Sequence, residues 1–437
     1  MTLDQIFSEE NILDYSGVCT NLAMDIPERA QTSGKEFDTL MIPSRGAVPF
    51  LLGMAYSLRK LSDMFGGGHE QFYNGLAMQP MVSSLLSSDV KISHDVERKP
   101  YRVLLIPFTA DLNVEKFDGS LDNTEFTKNT RGYWAKVTKA FFKDPKERAK
   151  DPYFRSFADI ILRDIEGRDS LAEAYESFPT IKKFSMIDTV ISGRASTQIL
   201  GAFEGLSALC QNPNLNPSAS LIVDENGKKL TPEYARFLNR KKIEGKVTSY
   251  EIPRIVSEDE GASLLGVGAA IYPSVMKSSL DFCTGDETFF IGAGGWFNSA
   301  DLPGNYSKNF KSFMDMIYSG IDYIHSKDFG GNGEKKKYEE FQAARASFLD
   351  RANHTKILCQ TADDISALKL SAHYSYQECY ETHSHVLHAP FAPRSLERIQ
   401  SKIAHIPGVR LKEKEPAENS ALNHPVRHHK HCGTKSH

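Results

Sequence analysis

Apolar residues near the N-terminus follow the spacing of an α-helix. Between residues 10 and 30 they recur mostly at every third or fourth position, which places them on one helical face. The residues of this face are Ile12, Leu13, Tyr15, Val18, Cys19, Leu22, Ala23 and Ile26. Pro27 follows directly, and a proline inside a helix removes a hydrogen bond and clashes with the preceding turn. The pattern therefore predicts a first helix that ends near Pro27.

Short apolar runs of strand length alternate with helical patterns over the first 255 residues. The runs are residues 37–43, 101–108, 182–188, 219–224 and 246–253. A helical pattern follows the first run at residues 48–59, and another follows the third run at residues 198–210. Strands separated by helices are typical of βαβ units. We therefore predict an α/β fold with a mostly parallel sheet and flanking helices.

Two long segments interrupt this alternation. Residues 114–181 are charged and rich in helix-forming residues, so we predict a helical insertion that forms a lid or a wall. Residues 60–100 contain three consecutive glycines and a serine-rich run, a composition typical of loops that close over ligands.

The remaining chain gives weaker patterns. Residues 287–297 suggest a strand that ends in a glycine turn, residues 308–325 suggest an amphipathic helix, and residues 330–340 suggest a solvated linker or a helix start. At 437 residues the chain exceeds one ordinary hydrophobic core. We predict an α/β domain over residues 1–255, a C-terminal α+β domain of unknown role over 256–410, and a polar, histidine-rich tail over 411–437.

Charge and cysteine content narrow the class of protein. A net charge of -4 argues against a surface covered in basic residues for nucleic acid, although local basic patches stay open. The six cysteines have no repeated spacing, which favours reduced thiols and a cytoplasmic location over a disulfide framework. No basic segment followed by an apolar run opens the chain, and no apolar run reaches about 18 residues. We expect neither secretion nor a membrane partner.

Residues 187–197, IDTVISGRAST, carry the most informative chemistry. Asp188 closes an apolar strand, a loop of small residues follows, and a helix is predicted directly afterwards. Backbone N–H groups at a helix N-terminus bind phosphate, and the helix dipole favours an anion there. The phosphate-binding candidates are Ser192, Gly193, Arg194, Ala195, Ser196 and Thr197.

This segment resembles the phosphoribosyl-pyrophosphate motif of the type I phosphoribosyltransferases. That motif is an apolar strand, one or two acidic residues, two apolar residues and a loop with Thr-Gly that ends in Thr or Ser. In one register Ser192-Gly193 replaces Thr-Gly, Ile187 replaces the first acid, and Ala195 replaces the closing hydroxyl.

A second register uses the single-Asp variant of uracil phosphoribosyltransferases. Asp188 and Ser196-Thr197 then match, and Gly193-Arg194 replaces the Thr-Gly pair. Both registers keep the carboxylate and the loop of small residues.

A second segment resembles the same family. Family members place a short loop, often Arg-Gly-Gly, after a strand near the N-terminus, where it contacts pyrophosphate. Ser44, Arg45 and Gly46 in LMIPSRGAVPF match this loop, and arginine pairs well with phosphate oxygens. The resemblance covers roughly residues 10 to 255.

The resemblance implies an enzyme that makes or breaks a C1′ N-glycosidic bond. Asp188 would hold the ribose hydroxyls or a Mg²⁺-bound water, residues 192–196 the 5′-phosphate, and Arg45 with Gly46 the pyrophosphate. Mg²⁺ would enter with phosphoribosyl pyrophosphate, and a nucleobase or amine would be the acceptor. Family members are often dimers, which implies a homodimer by analogy.

Three other interpretations stay open at this point. An aspartate that ends a strand before Ser and Gly also occurs as an ordinary helix N-cap turn. A domain of this fold can also lack catalysis and only sense a nucleotide, with its C-terminal region binding a protein or nucleic-acid partner. A third possibility is an effector that hydrolyses nucleotides.

Histidines concentrate in the C-terminal region, where ten of the fourteen follow residue 372. The candidates for a Zn²⁺ site are Cys379, His383, His385 and His388. Their spacing matches no standard zinc finger, and a solvated histidine-rich segment is the alternative. Arg427, Lys430 and Lys435 also give the tail a modest basic character that suits a nucleic-acid or protein partner.

Overall fold

Five parallel strands form the main sheet of the computed structural model. The model describes residues 2–32, 36–65, 69–70, 72–73, 101–106, 108, 110–111, 123–157, 178–225, 230–258, 274–276, 280–281, 290–292, 304–330, 333–360 and 410–411. The strands of this sheet are β1 (Thr39–Ile42), β2 (Arg102–Leu105), β4 (Phe184–Val190), β5 (Ser218–Asp224) and β6 (Val247–Ile252). Their order is β2-β1-β4-β5-β6, and every neighbouring pair is parallel. Each apolar run predicted before residue 255 overlaps one of these strands, so the α/β class is confirmed.

Short strands form two smaller sheets. They are β3 (Ala110–Asp111), β7 (Ser274–Met276), β8 (Leu280–Asp281), β9 (Phe290–Gly292) and β10 (Arg410–Leu411). The first sheet has the order β3-β7-β9, and β8 pairs with β10. Strand β9 lies within the run predicted at residues 287–297.

Helices cover both faces of the main sheet. They are α1 (Leu3–Ile6), α2 (Glu9–Gln31), α3 (Val48–Phe65), α4 (Asn123–Ala140), α5 (Pro145–Arg148), α6 (Pro152–Phe157), α7 (Arg194–Cys210), α8 (Pro232–Ile243), α9 (Gly304–Asp328) and α10 (Glu334–Gln360). Right-handed crossovers place α3 on one face and α7 with α8 on the other, because the chain leaves β1 in one direction and β4 in the opposite direction. Helix α2 packs against α3 and α9 on the first face, and α4 packs against α7 on the second.

Helix α2 does not end near Pro27, so this prediction is wrong. The helix continues to Gln31, and Pro27 lies inside it. Ile26 and Ala30, on either side of the proline, are buried in the core. Burial of this last turn outweighs the hydrogen bond that the proline removes.

Helix α10 extends far beyond the pattern that indicated its start. Residues 330–340 suggested a solvated linker or a helix start, and α10 begins there at Glu334 and runs for 27 residues. Its Phe348 meets Phe7 and Phe313 edge to face, with ring centroids 4.7 and 5.9 Å apart. Helices α9 and α10 therefore share one hydrophobic core with residues before 255.

Two glycines let helices of this core approach closely. A Cβ atom on Gly53 of α3 would collide with Cys19 of α2, and one on Gly320 of α9 would collide with Ser16 of α2. The absence of a side chain at these two positions therefore fixes how closely α3 and α9 pack on α2.

The described part of the predicted insertion is mostly helical. It contains α4, α5 and α6, and Trp134 of α4 is completely buried. In the part of the chain that is described, no helix has both the length and the apolar character needed to cross a membrane. Cys19 and Cys210 are free thiols.

A buried histidine joins α3 to α9 and makes stability depend on pH. Nε2 of His325 lies 2.8 Å from Oγ of Ser57, and Nδ1 is buried without a hydrogen-bond partner among the described residues. Burial lowers the pKa of His325, with Lys60 adding to the effect and Asp322 and Asp328 opposing it. The folded protein thus binds a proton less readily than the unfolded chain, whose histidine titrates near pH 6.5.

We expect the melting temperature to be highest above pH about 6.5 and to fall as the pH is lowered below it. His325→Gln, which can keep a hydrogen bond to Ser57, should flatten this dependence between pH 7.5 and pH 5. His69→Gln is the matched control. Equal slopes for the wild type and His325→Gln in thermal melts would contradict the assignment.

Candidate functional site

The connections of the main sheet diverge at the carboxyl ends of β1 and β4. The chain leaves β1 toward α3 on one face and leaves β4 toward α7 on the other, while β1 and β4 are hydrogen-bonded neighbours. In doubly wound sheets this point leaves a crevice in which ligands bind. The two segments singled out in the sequence, residues 44–46 and 188–197, both lie at this point.

Asp188 joins three elements at the crevice. It lies two residues before the end of β4 and is 1% exposed. Ser44 donates a 2.7 Å hydrogen bond to its Oδ1, and Ser196 in the first turn of α7 donates a 2.7 Å hydrogen bond to its Oδ2. Both oxygens of Asp188 are therefore engaged inside the protein, where they tie the β1 loop to the start of α7.

Burial dominates the protonation of Asp188. Removal from water raises the pKa of its carboxyl group above the ordinary value of aspartate. The hydrogen bonds from Ser44 and Ser196, the backbone N–H of Thr189 and the charge of Arg131 oppose this shift without cancelling it. The hydroxyl groups of Ser44 and Ser196 therefore stabilise the ionised form of the Asp188 carboxyl group, which burial disfavours.

Helix α7 begins earlier than the sequence indicated. It starts at Arg194, so Ser196 and Thr197 lie in its first turn and only residues 191–193 form the loop. Gly193 is the N-cap residue and has a φ angle of 78°. A Cβ atom here would collide with Leu230 and lie 3.0 Å from Cβ of Tyr234. Glycine is required by both the left-handed backbone and the close packing.

The N-terminus of α7 has no side-chain cap and no acidic residue in its first turn. Ser192 is exposed, and its Oγ accepts a long hydrogen bond of 3.4 Å from the backbone N–H of Arg194. Within the described residues, the backbone N–H groups of Ala195 and Ser196 have no hydrogen-bond acceptor. Uncapped N–H groups and the positive end of the helix dipole together favour an anion.

Arg131 of α4 is a residue of this site that the sequence patterns missed. It is 4% exposed and donates a hydrogen bond from Nη1 to Oε1 of Gln198 in α7. Its Nε is buried and has no partner among the described residues. Burial, and then the charge of Arg194, lowers the pKa of Arg131 to about 10, while Asp188 and Tyr234 act in the opposite direction. The side chain therefore stays cationic at neutral pH.

Two more polar groups of α7 lack partners beside Arg131. The half-buried side chain of Arg194 makes no hydrogen bond or ion pair with the described residues, and Oγ1 of Thr197 is buried without a partner there. The sequence indicated a role for α4 only through the prediction that the insertion at residues 114–181 forms a lid or a wall of the site. Arg131 itself gave no signal, since it reaches the site only through the packing of α4 on α7.

The loop after β1 supplies the other wall of the crevice. Ser44 is buried, and a 3₁₀ turn spans Arg45–Ala47 with the N–H of Ala47 donating to the carbonyl of Ser44 over 3.3 Å. Gly46 is buried in this turn. The side chain of Arg45 lies outside the described residues, so its contact with pyrophosphate stays a prediction.

Asp188 was expected to hold the ribose hydroxyls or a Mg²⁺-bound water. In the structure it is buried, and each of its oxygens accepts a hydrogen bond from a serine, so a role toward Mg²⁺ stays a prediction. The Zn²⁺ candidates Cys379, His383, His385 and His388 lie outside the described residues. Within the described ranges, no group of three or more His, Cys, Asp or Glu side chains is arranged to hold a metal ion.

Comparison of the chain with protein-family models, with curated proteins and with solved structures finds no significant match. Any function must therefore be argued from the site.

Proposed function

We propose that the chain binds a phosphorylated ribose, as phosphoribosyl pyrophosphate or a nucleotide, at the carboxyl ends of β1 and β4. One observation carries this proposal: the N-terminus of α7 carries Arg194 and contacts Arg131, and neither guanidinium group has an acidic hydrogen-bond partner among the described residues. The phosphate would accept hydrogen bonds from the N–H groups of Ala195 and Ser196 and from Arg194.

The arrangement of Asp188 favours a nucleotide-sensing module over an enzyme. A catalytic aspartate of the expected kind must reach the ribose hydroxyls, but Asp188 is buried and holds two serines instead. Its effect on a ligand would be indirect, through the positions of the β1 loop and of α7. In such a module a protein or nucleic-acid partner would bind the C-terminal region.

Phosphoribosyl transfer is the second candidate, and one contact favours it. The hydrogen bond from Ser44 to Asp188 brings the two segments that resemble phosphoribosyltransferase motifs side by side, although they are 144 residues apart in sequence. In that case Mg²⁺ would come with the pyrophosphate of the ligand, and a base or amine would be the acceptor. The homodimer and the base pocket stay predictions.

We expect Arg194→Ala to weaken the binding of phosphoribosyl pyrophosphate by about 10- to 100-fold, since a charge-assisted hydrogen bond to phosphate contributes about 1.5–3 kcal/mol. Isothermal titration calorimetry of the full chain with Mg²⁺ measures this. Arg155→Ala is the charge-matched control, because Arg155 is exposed on α6. A folded wild-type chain that binds neither phosphoribosyl pyrophosphate nor AMP rules out the proposed function.

Turnover separates the two candidates. The wild type is incubated with phosphoribosyl pyrophosphate, Mg²⁺ and each nucleobase, and both nucleotide formation and pyrophosphate release are followed by chromatography. Binding without product supports the sensing module, whereas a nucleotide product establishes the transferase.

A further inference from the structure

The insertion helix α4 brings a buried positive charge against the first turns of α7. Arg131 is almost completely buried, and its one hydrogen bond among the described residues goes to the neutral amide oxygen of Gln198. A buried guanidinium group is costly unless an anion or several acceptors satisfy it. Its Nε still lacks a partner there. The side chain is therefore arranged for an acceptor that the described protein residues do not supply.

A second cation lies next to the first. Arg194 is the first residue of α7, where the positive end of the helix dipole disfavours a cation. Gln198, which accepts the hydrogen bond from Arg131, lies four residues after Arg194 and so on the same face of α7, which places the two guanidinium groups on one side of the helix. The charge of Arg194 accordingly contributes to the lowered pKa of Arg131. Two like charges at the positive end of a helix repel one another, and an anion placed between them relieves this repulsion.

Asp188, the carboxyl group that acts on Arg131 among the described residues, does not supply that anion. Asp188 attracts Arg131 through space, but the two residues make no ion pair. Both oxygens of Asp188 accept hydrogen bonds from Ser44 and Ser196 instead. The positive charge of the two arginines is left for a ligand.

We propose that Arg131 and Arg194 together clamp one phosphate monoester of the ligand between α4 and α7, which makes Arg131 a specificity-determining residue. This inference rests on the proposed function for the identity of the ligand as a phosphorylated ribose. The clamp itself requires only the phosphate group.

The charge of the pair selects the chemical class of the phosphate. A monoester carries close to two negative charges at neutral pH and presents three terminal oxygens, which suit two guanidinium groups and the N–H groups of α7. A phosphodiester carries one negative charge and two such oxygens. The site should therefore prefer a terminal phosphate to one within a nucleic-acid backbone.

The test compares anions and variants of the full chain by isothermal titration calorimetry. The probes are inorganic phosphate, ribose 5-phosphate and its diester ribose 5-(methyl phosphate). The variants are Arg131→Met, which keeps the length without the charge, Arg131→Lys, which keeps the charge without the planar fork, and Arg155→Ala as the exposed control.

We expect the wild type to bind ribose 5-phosphate about 10- to 100-fold more tightly than the diester, because the monoester makes one additional charge-assisted hydrogen bond. Arg131→Met should lose most of this preference, Arg131→Lys should keep part of it, and Arg155→Ala should keep all of it. Hydrogen exchange of the wild type should show α4 protected by inorganic phosphate. This last readout remains informative if Arg131→Met does not fold.

The outcomes separate this inference from the proposed function. Equal affinities of the wild type and Arg131→Met for ribose 5-phosphate keep the proposed function and overturn the clamp. Binding of inorganic phosphate that depends on Arg131, without binding of ribose 5-phosphate, keeps the clamp and overturns the proposed function. No binding of any of the anions, with α4 unprotected, overturns both.

Discussion

Replacing Ser44 and Ser196 together by alanine should lower the free energy of unfolding by about 3–5 kcal/mol, the cost of leaving a buried charged group without its partners. Asp188 accepts a 2.7 Å hydrogen bond from each of these hydroxyl groups and has almost no access to water. Without them the carboxyl group remains in the interior with both oxygens unsatisfied by side chains. Urea denaturation of the full chain measures the change.

The control for this double variant is Ser319→Ala. Ser319 lies on α9 and donates to the carbonyl oxygen of Asp315 within the same helix, so its loss should change stability by less than about 0.5 kcal/mol. Adding Asp188→Asn to the double variant should recover part of the lost stability, because the buried group then carries no charge. A double variant as stable as Ser319→Ala would show that Asp188 does not depend on the serines.

Gly193→Ala should destabilise the protein by about 2–4 kcal/mol, from the left-handed backbone and from overpacking against neighbouring side chains. The φ angle of 78° disfavours alanine, and the new Cβ atom would meet Leu230 before α8 and Tyr234 in the first turn of α8. The backbone at position 193 must move to relieve this clash, and the movement would shift the N-terminus of α7. Ligand binding should therefore weaken as well.

Gly201→Ala, in the same helix, is the matched control. A Cβ atom at Gly201 meets no atom within 4 Å, so the substitution should stabilise α7 by about 0.5–1 kcal/mol through helix propensity. Denaturation and calorimetric titration with inorganic phosphate are measured on both variants. Gly193→Ala with the stability and affinity of the wild type would contradict the strained N-cap.

The strands and most helices could be read from local patterns, because burial on a sheet or on one helix face imposes a period on the sequence. Two elements departed from this rule. Helix α10 combines a charged first half with scattered apolar positions, and its core contacts through Phe341 and Phe348 come from distant segments. Helix α2 continues through Pro27 because its last turn is buried, which depends on the rest of the fold.

The candidate site was predicted in part. The strand, the loop of small residues and the helix at residues 184–210 are local features that the sequence predicted. The structure adds that position 193 has a left-handed backbone, which favours glycine. The exposure of Asp188 to a ligand was expected from its place at the end of an apolar run. In the structure β4 continues for two residues beyond it, so the side chain turns inward to the two serines.

The sequence by itself determined the α/β class, the five strands of the main sheet with the helices that follow β1 and β4, and the two segments that meet at the crevice. These follow from short-range periodicity and from the small residues of the loop before α7. Only the tertiary structure decided the order of strands in the sheet, the burial of Asp188, and the contact of Arg131 with α7 through Gln198. Such contacts join residues far apart in sequence, and their energies depend on burial and charge in the packed protein rather than on local composition.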